Sequence, residues 1–67
     1  MSQSLNAAKL YVTARMNELQ DEHSKLITAL QARIGQTKEC DDAIRVLSQV
    51  YDAQIALLDE VYKELDR

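Results

Sequence analysis

The chain has 67 residues, a net charge of −3 and a single cysteine, Cys40, and these facts exclude several classes of protein. A domain of this length buries only about 60% of its unfolded surface, so it usually needs a partner or a staple. Cys40 has no second cysteine to pair with, which fits a reducing cytoplasm. The longest uninterrupted apolar run, residues 55–58, is far shorter than the roughly 18 residues of a membrane span. No segment resembles a signal peptide, so we expect a cytoplasmic protein.

Charge is distributed unevenly along the chain. Residues 1–34 carry four basic and three acidic side chains, whereas residues 35–67 carry four basic and eight acidic ones. Neither half has a basic stripe that could neutralise phosphates, so we expect no binding to nucleic acid or to anionic membranes. The absence of proline and the presence of only one glycine predict an all-α protein.

A first helix is predicted over residues 4–34, where apolar residues recur at a helical period. Leu10 and Tyr11 belong to a second patch on the back of this helix, which is either a scatter of surface residues or the footprint of a partner. The positions predicted to face a neighbouring helix are Val12, Met16, Leu19, His23, Leu26 and Leu30.

A turn is predicted over residues 35–40. Gly35 is the only residue of the chain that adopts a positive φ cheaply, as the position after a helix end often requires. Either Thr37 or Asp41 could cap the helix that follows. We therefore expect a second helix over residues 41–66.

The second helix is apolar over an unusually wide arc. A heptad places Ile44, Tyr51, Leu58 and Leu65 at a, and Cys40, Leu47, Gln54 and Val61 at d. Apolar residues continue on both flanks of this seam, and one neighbouring helix cannot cover all of them. We therefore predict that a binding partner contacts the flanking residues Val50, Leu57, Ile55 and Tyr62, together with Leu10 and Tyr11 of the first helix.

The expected fold is two long helices in an antiparallel, coiled-coil-like hairpin that forms a single domain over residues 1–67. If the chain folds back about residues 38–39, a and d positions meet in layers, and one layer joins His23 to Gln54. This pairing would satisfy two polar groups that are costly to bury alone. A single continuous helix in a dimeric coiled coil is the alternative, because the heptad register runs unbroken through Gly35. A glycine inside a helix costs only about 1 kcal/mol.

The sequence predicts no catalytic, cofactor-binding or metal-binding residues. His23 shares its helix face with no carboxylate or thiol, as a metal site or an acid–base pair would require. Cys40 has no companion ligand and is interpreted as structural. One motif keeps an enzymatic alternative open: residues 47–52 (Leu-Ser-Gln-Val-Tyr-Asp) resemble the Ser-Gln-x-x-Asp signature of small hairpin phosphatases that act on a response regulator.

A second resemblance covers the whole chain. Gly35 at the midpoint, followed by Ala43, Ile44, Ser48 and Val50 and by the run Ile55-Ala56-Leu57-Leu58 with Val61 and Leu65, is similar to the E-type co-chaperones of bacterial type III secretion needle subunits. The resemblance implies a small, non-enzymatic bacterial hairpin that stabilises a G-type helical-repeat chaperone. Together the two proteins would keep the needle subunit unpolymerised before export in this virulence-associated protein transport system.

A homodimer is the other open possibility. It would be either a four-helix bundle of two hairpins or a long coiled coil, and in both cases a second copy of the chain covers the surplus apolar arc.

Overall fold

The protein, described over residues 2–67 by a computed structural model, consists of two antiparallel helices joined by a three-residue corner. Helix α1 spans Ser2–Ile34 and helix α2 spans Lys38–Leu65. The two helices pack against each other along their length, and no strand occurs within the described residues. The predicted all-α hairpin is therefore confirmed, and the alternative of one continuous helix is wrong.

The chain reverses direction at Gly35. This residue has φ +79°, and its N–H donates to the carbonyl of Gln31 at 3.0 Å. A helix that ends on a left-handed residue closes its last turn with such a bond, and glycine adopts that conformation without steric cost. The single glycine of the sequence thus ends α1 directly after Ile34.

Helix α2 begins at Lys38, three residues before the predicted start, because Thr37 is its N-cap. Thr37 has an extended backbone, and its Oγ1 accepts a hydrogen bond from the N–H of Cys40 at 3.2 Å. Of the two capping residues that the sequence offered, Thr37 is used, and Asp41 lies in the first turn of the helix. Its carboxylate and that of Glu39 lie near the positive end of the helix dipole, where negative charge is stabilising.

The core is one seam between the two helices. Val12, Leu19 and Cys40 are buried, and Cys40 is the most enclosed of these side chains at 1% exposure. Half-buried residues continue the seam: Met16, His23, Ile27 and Leu30 on α1, and Ile44, Leu47, Ser48, Tyr51, Ile55, Leu58, Tyr62 and Leu65 on α2.

The predicted layer of His23 and Gln54 is wrong. His23 instead contacts Ser48 and Tyr51, and Gln54 is exposed. The early start of α2 explains the difference. The chain reverses at residues 35–37, nearer the N-terminus than the predicted reversal about residues 38–39, so that His23 meets Ser48 and Tyr51 instead of Gln54.

Leu26 and Val61 were also predicted in the seam, but both are exposed. The next residues along the chain, Ile27 and Tyr62, are half-buried instead. The same is true of Ile55, which follows the exposed Gln54. The half-buried positions therefore follow the 3.6-residue period of a straight helix more closely than the 3.5-residue period of a heptad. The two periods drift apart by about 20° per heptad, so over the 28 residues of α2 the covered face moves by nearly the 100° that separates consecutive residues.

The hairpin is long and narrow. It extends over 51 × 16 × 8 Å with a radius of gyration of 15.5 Å, against about 11 Å for a compact domain of this length. At the open end, Lys9 Nζ donates to Asp66 Oδ1 at 2.7 Å, and this hydrogen bond raises the pKa of Lys9. Over the part of the chain that the structure describes, neither helix combines the length and apolarity of a membrane span.

Candidate protein-binding surface

A polar cluster interrupts the apolar seam near its middle. His23 Nε2 lies 2.8 Å from Ser48 Oγ, and the imidazole stacks on the ring of Tyr51 with centroids 5.1 Å apart and planes 13° from parallel. The hydroxyl of Tyr51 donates to Glu22 Oε2 at 3.4 Å. Desolvation and the nearby charge of Glu22 raise the pKa of Tyr51. The cluster thus gives the half-buried polar groups of the seam partners from the opposite helix.

The contact between His23 and Ser48 does not form an acyl-transfer site. Both residues lie in the middle of long helices, where backbone N–H groups are already bonded within the helix. Such a site needs free donors directed at the developing oxyanion. Within residues 2–67, no three His, Cys, Asp or Glu side chains form a group that could hold a metal ion.

The three polar residues of the Ser-Gln-x-x-Asp motif differ in their exposure. Ser48 is half-buried and bonded to His23, whereas Gln49 and Asp52 are exposed. The hydroxyl of Ser48 therefore contributes to the contact between the helices.

A band of apolar side chains runs along α2 outside the seam. We define the α2 stripe as Val46, Val50, Ala53, Leu57 and Val61, all of which are exposed. At about 100° per residue these five positions fall within roughly one quarter of the helix circumference. Leu57, Val46 and Val50 are 66%, 56% and 50% exposed, respectively. An aliphatic band of this length on a monomer typically marks an interaction site.

One end of the α2 stripe forms the wall of an open groove between the helices. The groove has a volume of about 580 Å³ and is almost entirely apolar. Its lining residues are Leu30, Asp42, Ala43, Val46, Leu47 and Val50. The other end of the stripe, with Leu57 and Val61, lies outside this groove.

The structure separates the predicted interface residues of α2 into two groups. Val50 and Leu57 are exposed members of the α2 stripe, whereas Ile55 and Tyr62 are half-buried and face α1. Tyr62 lines a small hollow together with Thr13, Met16, Asn17, Gln20 and Asp59. The prediction that Ile55 and Tyr62 are free for a partner is therefore wrong, because the straight-helix period brings both into the seam.

Leu10 and Tyr11 are both exposed on α1, at 71% and 72%. Because they are consecutive, their side chains point about 100° apart. They therefore do not form one continuous patch, and neither lines the groove beside Leu30.

Sequence reasoning missed Val46 and assigned Val61 to the seam. The signal for both was nevertheless present. Val46 lies four residues before Val50, and Val61 lies four residues after Leu57, so both continue the same helical row.

Most charged residues of α2 lie on another side of the helix. The ion pairs Arg45–Asp42 and Lys63–Asp59, both at 3.1 Å, lie within the helix, and the pair Arg67–Glu64 at 3.4 Å lies at its C-terminal end. Exposed pairs of this kind contribute little to stability. They keep that side of α2 hydrated, and the apolar stripe is left as the face with the least affinity for water.

Fold and surface together define a class: a two-helix hairpin with one apolar helix face that its own chain does not cover. No protein-family model, no curated protein and no solved structure matches the chain.

Proposed function

We propose that this hairpin is a non-enzymatic protein-binding module and that the α2 stripe docks on another helical protein. The observation that carries this proposal is the row of exposed aliphatic residues from Val46 to Val61, which the hairpin leaves without a neighbour. A partner that supplies an apolar groove would recognise the row as an amphipathic helix.

The amount of exposed surface supports a partner. The accessible surface is 5204 Å², whereas a compact monomer of 7.6 kDa has about 4300 Å². The excess of about 900 Å² is close to the roughly 800 Å² that each protein buries in an interface of standard size. One stable complex would thus bring the hairpin to the degree of burial that is usual for its mass.

The α2 stripe also sets requirements for the partner. From Val46 to Val61 it is about 22 Å long at 1.5 Å per residue, so the partner needs an apolar groove of similar length. Residues 35–67 carry four basic and eight acidic side chains, a net charge of −4. A groove with a basic rim would therefore be favoured, mainly through the rate of association.

The particular function that we propose is that of an E-type co-chaperone in bacterial type III secretion. It rests on the sequence resemblance around Gly35 and residues 55–58 and is compatible with the hairpin and its free face. In this role the α2 stripe packs on a G-type helical-repeat chaperone in the cytoplasm. The pair then holds the needle subunit unpolymerised.

The test replaces two residues of the stripe, Val50→Glu with Leu57→Glu. Both positions are exposed, so the isolated protein should remain helical and at least as soluble. Binding to the co-expressed G-type chaperone should be lost, because two unpaired charges would be buried in the interface. Co-purification and isothermal titration calorimetry measure the loss.

A matched control adds the same charges about 80–100° around the helix from the centre of the stripe. Gln49 and Ala56 are also exposed and lie outside the stripe, so Gln49→Glu with Ala56→Glu should leave binding intact. The proposed docking surface would be refuted if the stripe variant stayed folded and kept its partner, or if the control variant lost it to the same extent.

A further inference from the structure

The charged residues nearest to the α2 stripe are all acidic. At about 100° per residue, four acidic residues of the helix lie within about 60° of the centre line of the stripe. They are Glu39, Asp42, Glu60 and Glu64. The basic residues of the helix lie about 100–120° from the same line. They are Lys38, Arg45 and Lys63.

The four acids lie at the two ends of the stripe. Glu39 and Asp42 precede it, and Glu60 and Glu64 lie at its C-terminal end. Asp42 is half-buried, and the other three residues are exposed. Asp42 and Glu60 lie on the same flank and are 18 residues apart, which is about 27 Å along the helix. The apolar row therefore has negative charge at both ends.

Neighbouring arginines compensate only part of this charge. Asp42 pairs with Arg45 at 3.1 Å, and Glu64 pairs with Arg67 at 3.4 Å. Pairs between exposed side chains are weak, so both carboxylates remain available to a partner. Among residues 2–67, Glu60 forms no ion pair.

A second copy of the chain does not match this charge pattern. A parallel pair of α2 helices would bring each acidic end against the same acidic end. An antiparallel pair centred on Ala53 would place Asp42 of one copy opposite Glu64 of the other. Like charges across an interface oppose association, so the ends of the stripe favour a different protein with the opposite charge.

We propose that the α2 stripe is covered by the apolar face of a basic amphipathic helix of another protein. Lys or Arg side chains at both ends of that helix's apolar row, about 27 Å apart, pair with the acids at the two ends of the stripe. This inference rests on the proposed function, since both place the partner on the α2 stripe, and it adds the charge of the partner. The apolar row supplies the contact area, and the charged ends exclude acidic helices and a second copy.

The first test uses two synthetic helical peptides of about 24 residues, a length at which helices form in water. Both carry the same row of leucines, and one has Lys and the other Glu at the positions beside both ends of the row. The Lys peptide should bind the protein about tenfold more tightly at low ionic strength, and the difference should shrink as salt is added. Fluorescence anisotropy measures both affinities. Equal affinities would overturn the proposal.

The second test changes the charge at one end of the stripe. Glu60→Lys with Glu64→Lys should remove most of the preference for the Lys peptide. The matched control is Asp52→Lys with Asp59→Lys, about 140–160° from the centre line of the stripe. Both variants raise the net charge from −3 to +1, and each disrupts one ion pair, that of Glu64 or that of Asp59.

The control variant should keep the preference for the Lys peptide. Circular dichroism verifies that both variants remain helical. If the two variants lost the preference to the same extent, the total charge of the protein would attract the peptide, and the acids beside the stripe would have no special role.

The third test concerns the second copy. Glu60→Lys with Glu64→Lys leaves one end of the stripe acidic and makes the other basic, so two copies of this variant match when they lie antiparallel. The variant should therefore self-associate more tightly than the wild type in sedimentation equilibrium, whereas the control variant should not. Equal self-association of the variant and the wild type would contradict the role of the acidic ends.

The two proposals fail separately. If the peptides behave as expected while the G-type chaperone does not bind, only the proposed co-chaperone role is refuted. If the chaperone binds through Val50 and Leu57 but holds the Glu60→Lys, Glu64→Lys variant as tightly as the wild type, only the basic partner helix is refuted.

Discussion

His23 Nε2 lies 2.8 Å from Ser48 Oγ, and this hydrogen bond is a specific polar contact between the two helices. It forms in the middle of the seam, where aliphatic side chains alone would allow one helix to slide against the other. A bond between two particular residues fixes the register, because any shift by a turn leaves the half-buried imidazole without its partner. The stacked ring of Tyr51 holds the imidazole in place from the same helix as Ser48.

The first prediction is that His23 and Ser48 are energetically coupled. Ser48→Ala should destabilise the hairpin by about 1 kcal/mol, since it leaves a half-buried ring nitrogen unsatisfied. In the background of His23→Leu the same change should cost little. A double-mutant cycle from urea unfolding at fixed protein concentration measures the coupling.

Gln54 provides the matched control for this cycle. Its side chain is exposed and lies outside the polar cluster. A cycle of His23→Leu with Gln54→Ala should therefore be additive. Coupling to Gln54 in the absence of coupling to Ser48 would mean that the helices pair in the register predicted from the sequence and not in the one described above.

The second prediction concerns the corner. Gly35→Ala should destabilise the hairpin by about 1–2 kcal/mol, because alanine pays a steric penalty in the left-handed region. A Cβ at this position would meet no atom within 4 Å, so the loss comes from the backbone conformation alone. Gly35→Asn should cost less, since asparagine tolerates positive φ better. Equal losses for the two variants in thermal unfolding would contradict this explanation.

The third prediction concerns the start of α2. Thr37→Ala removes the side-chain acceptor for the N–H of Cys40 and should cost about 1 kcal/mol. Thr37→Ser keeps the hydroxyl and should retain most of the stability. If both substitutions were neutral, Thr37 would not be the residue that sets the beginning of the helix.

The fourth prediction concerns alkaline pH. Folding raises the pKa of Tyr51 above its ordinary value of 10.0, so the folded chain holds the phenolic proton more tightly than the unfolded chain. The resulting stabilisation is present below pH 10 and is lost as the pH rises through the folded pKa. Tyr51→Phe removes this contribution while keeping the ring, so its unfolding free energy should decline less steeply at high pH.

Urea unfolding from about pH 9 to about pH 12 compares the two proteins. Lys9, Lys25 and Lys63 also have raised pKa values through their carboxylate partners, and they contribute equally to both curves. The difference between the curves therefore isolates the phenol. Parallel curves would show that the environment of Tyr51 does not favour its protonated form.

The helical hairpin and its point of reversal could be predicted from the sequence, because Gly35 is the only residue suited to a positive φ. The register could not, because Thr37 and Asp41 are both good caps and the choice between them moves the start of α2 by four residues. The capping bond to Cys40 depends on the three-dimensional corner. No local pattern distinguishes the two candidates.

The free face could be predicted only in part. Val50 and Leu57 were found because they lie off the heptad seam, whereas Ile55 and Tyr62 were assigned to the wrong face. Leu26 is followed directly by a second apolar residue, Ile27, and Val61 is followed directly by Tyr62. The sequence then satisfies a 3.5-residue period and a 3.6-residue period equally well, and only the packing of the two helices decides which residue is covered.

The three-residue corner also determines how the hairpin opens. Contacts beside Gly35 close short loops, whereas the hydrogen bond between Lys9 and Asp66 joins residues 57 positions apart. Because the entropy of loop closure grows with the number of enclosed residues, the helices separate first at the end away from the corner. Amide hydrogen exchange should therefore slow steadily from the chain ends toward Cys40. A protein that binds Leu57 and Val61 would clamp the part of the hairpin that opens most readily.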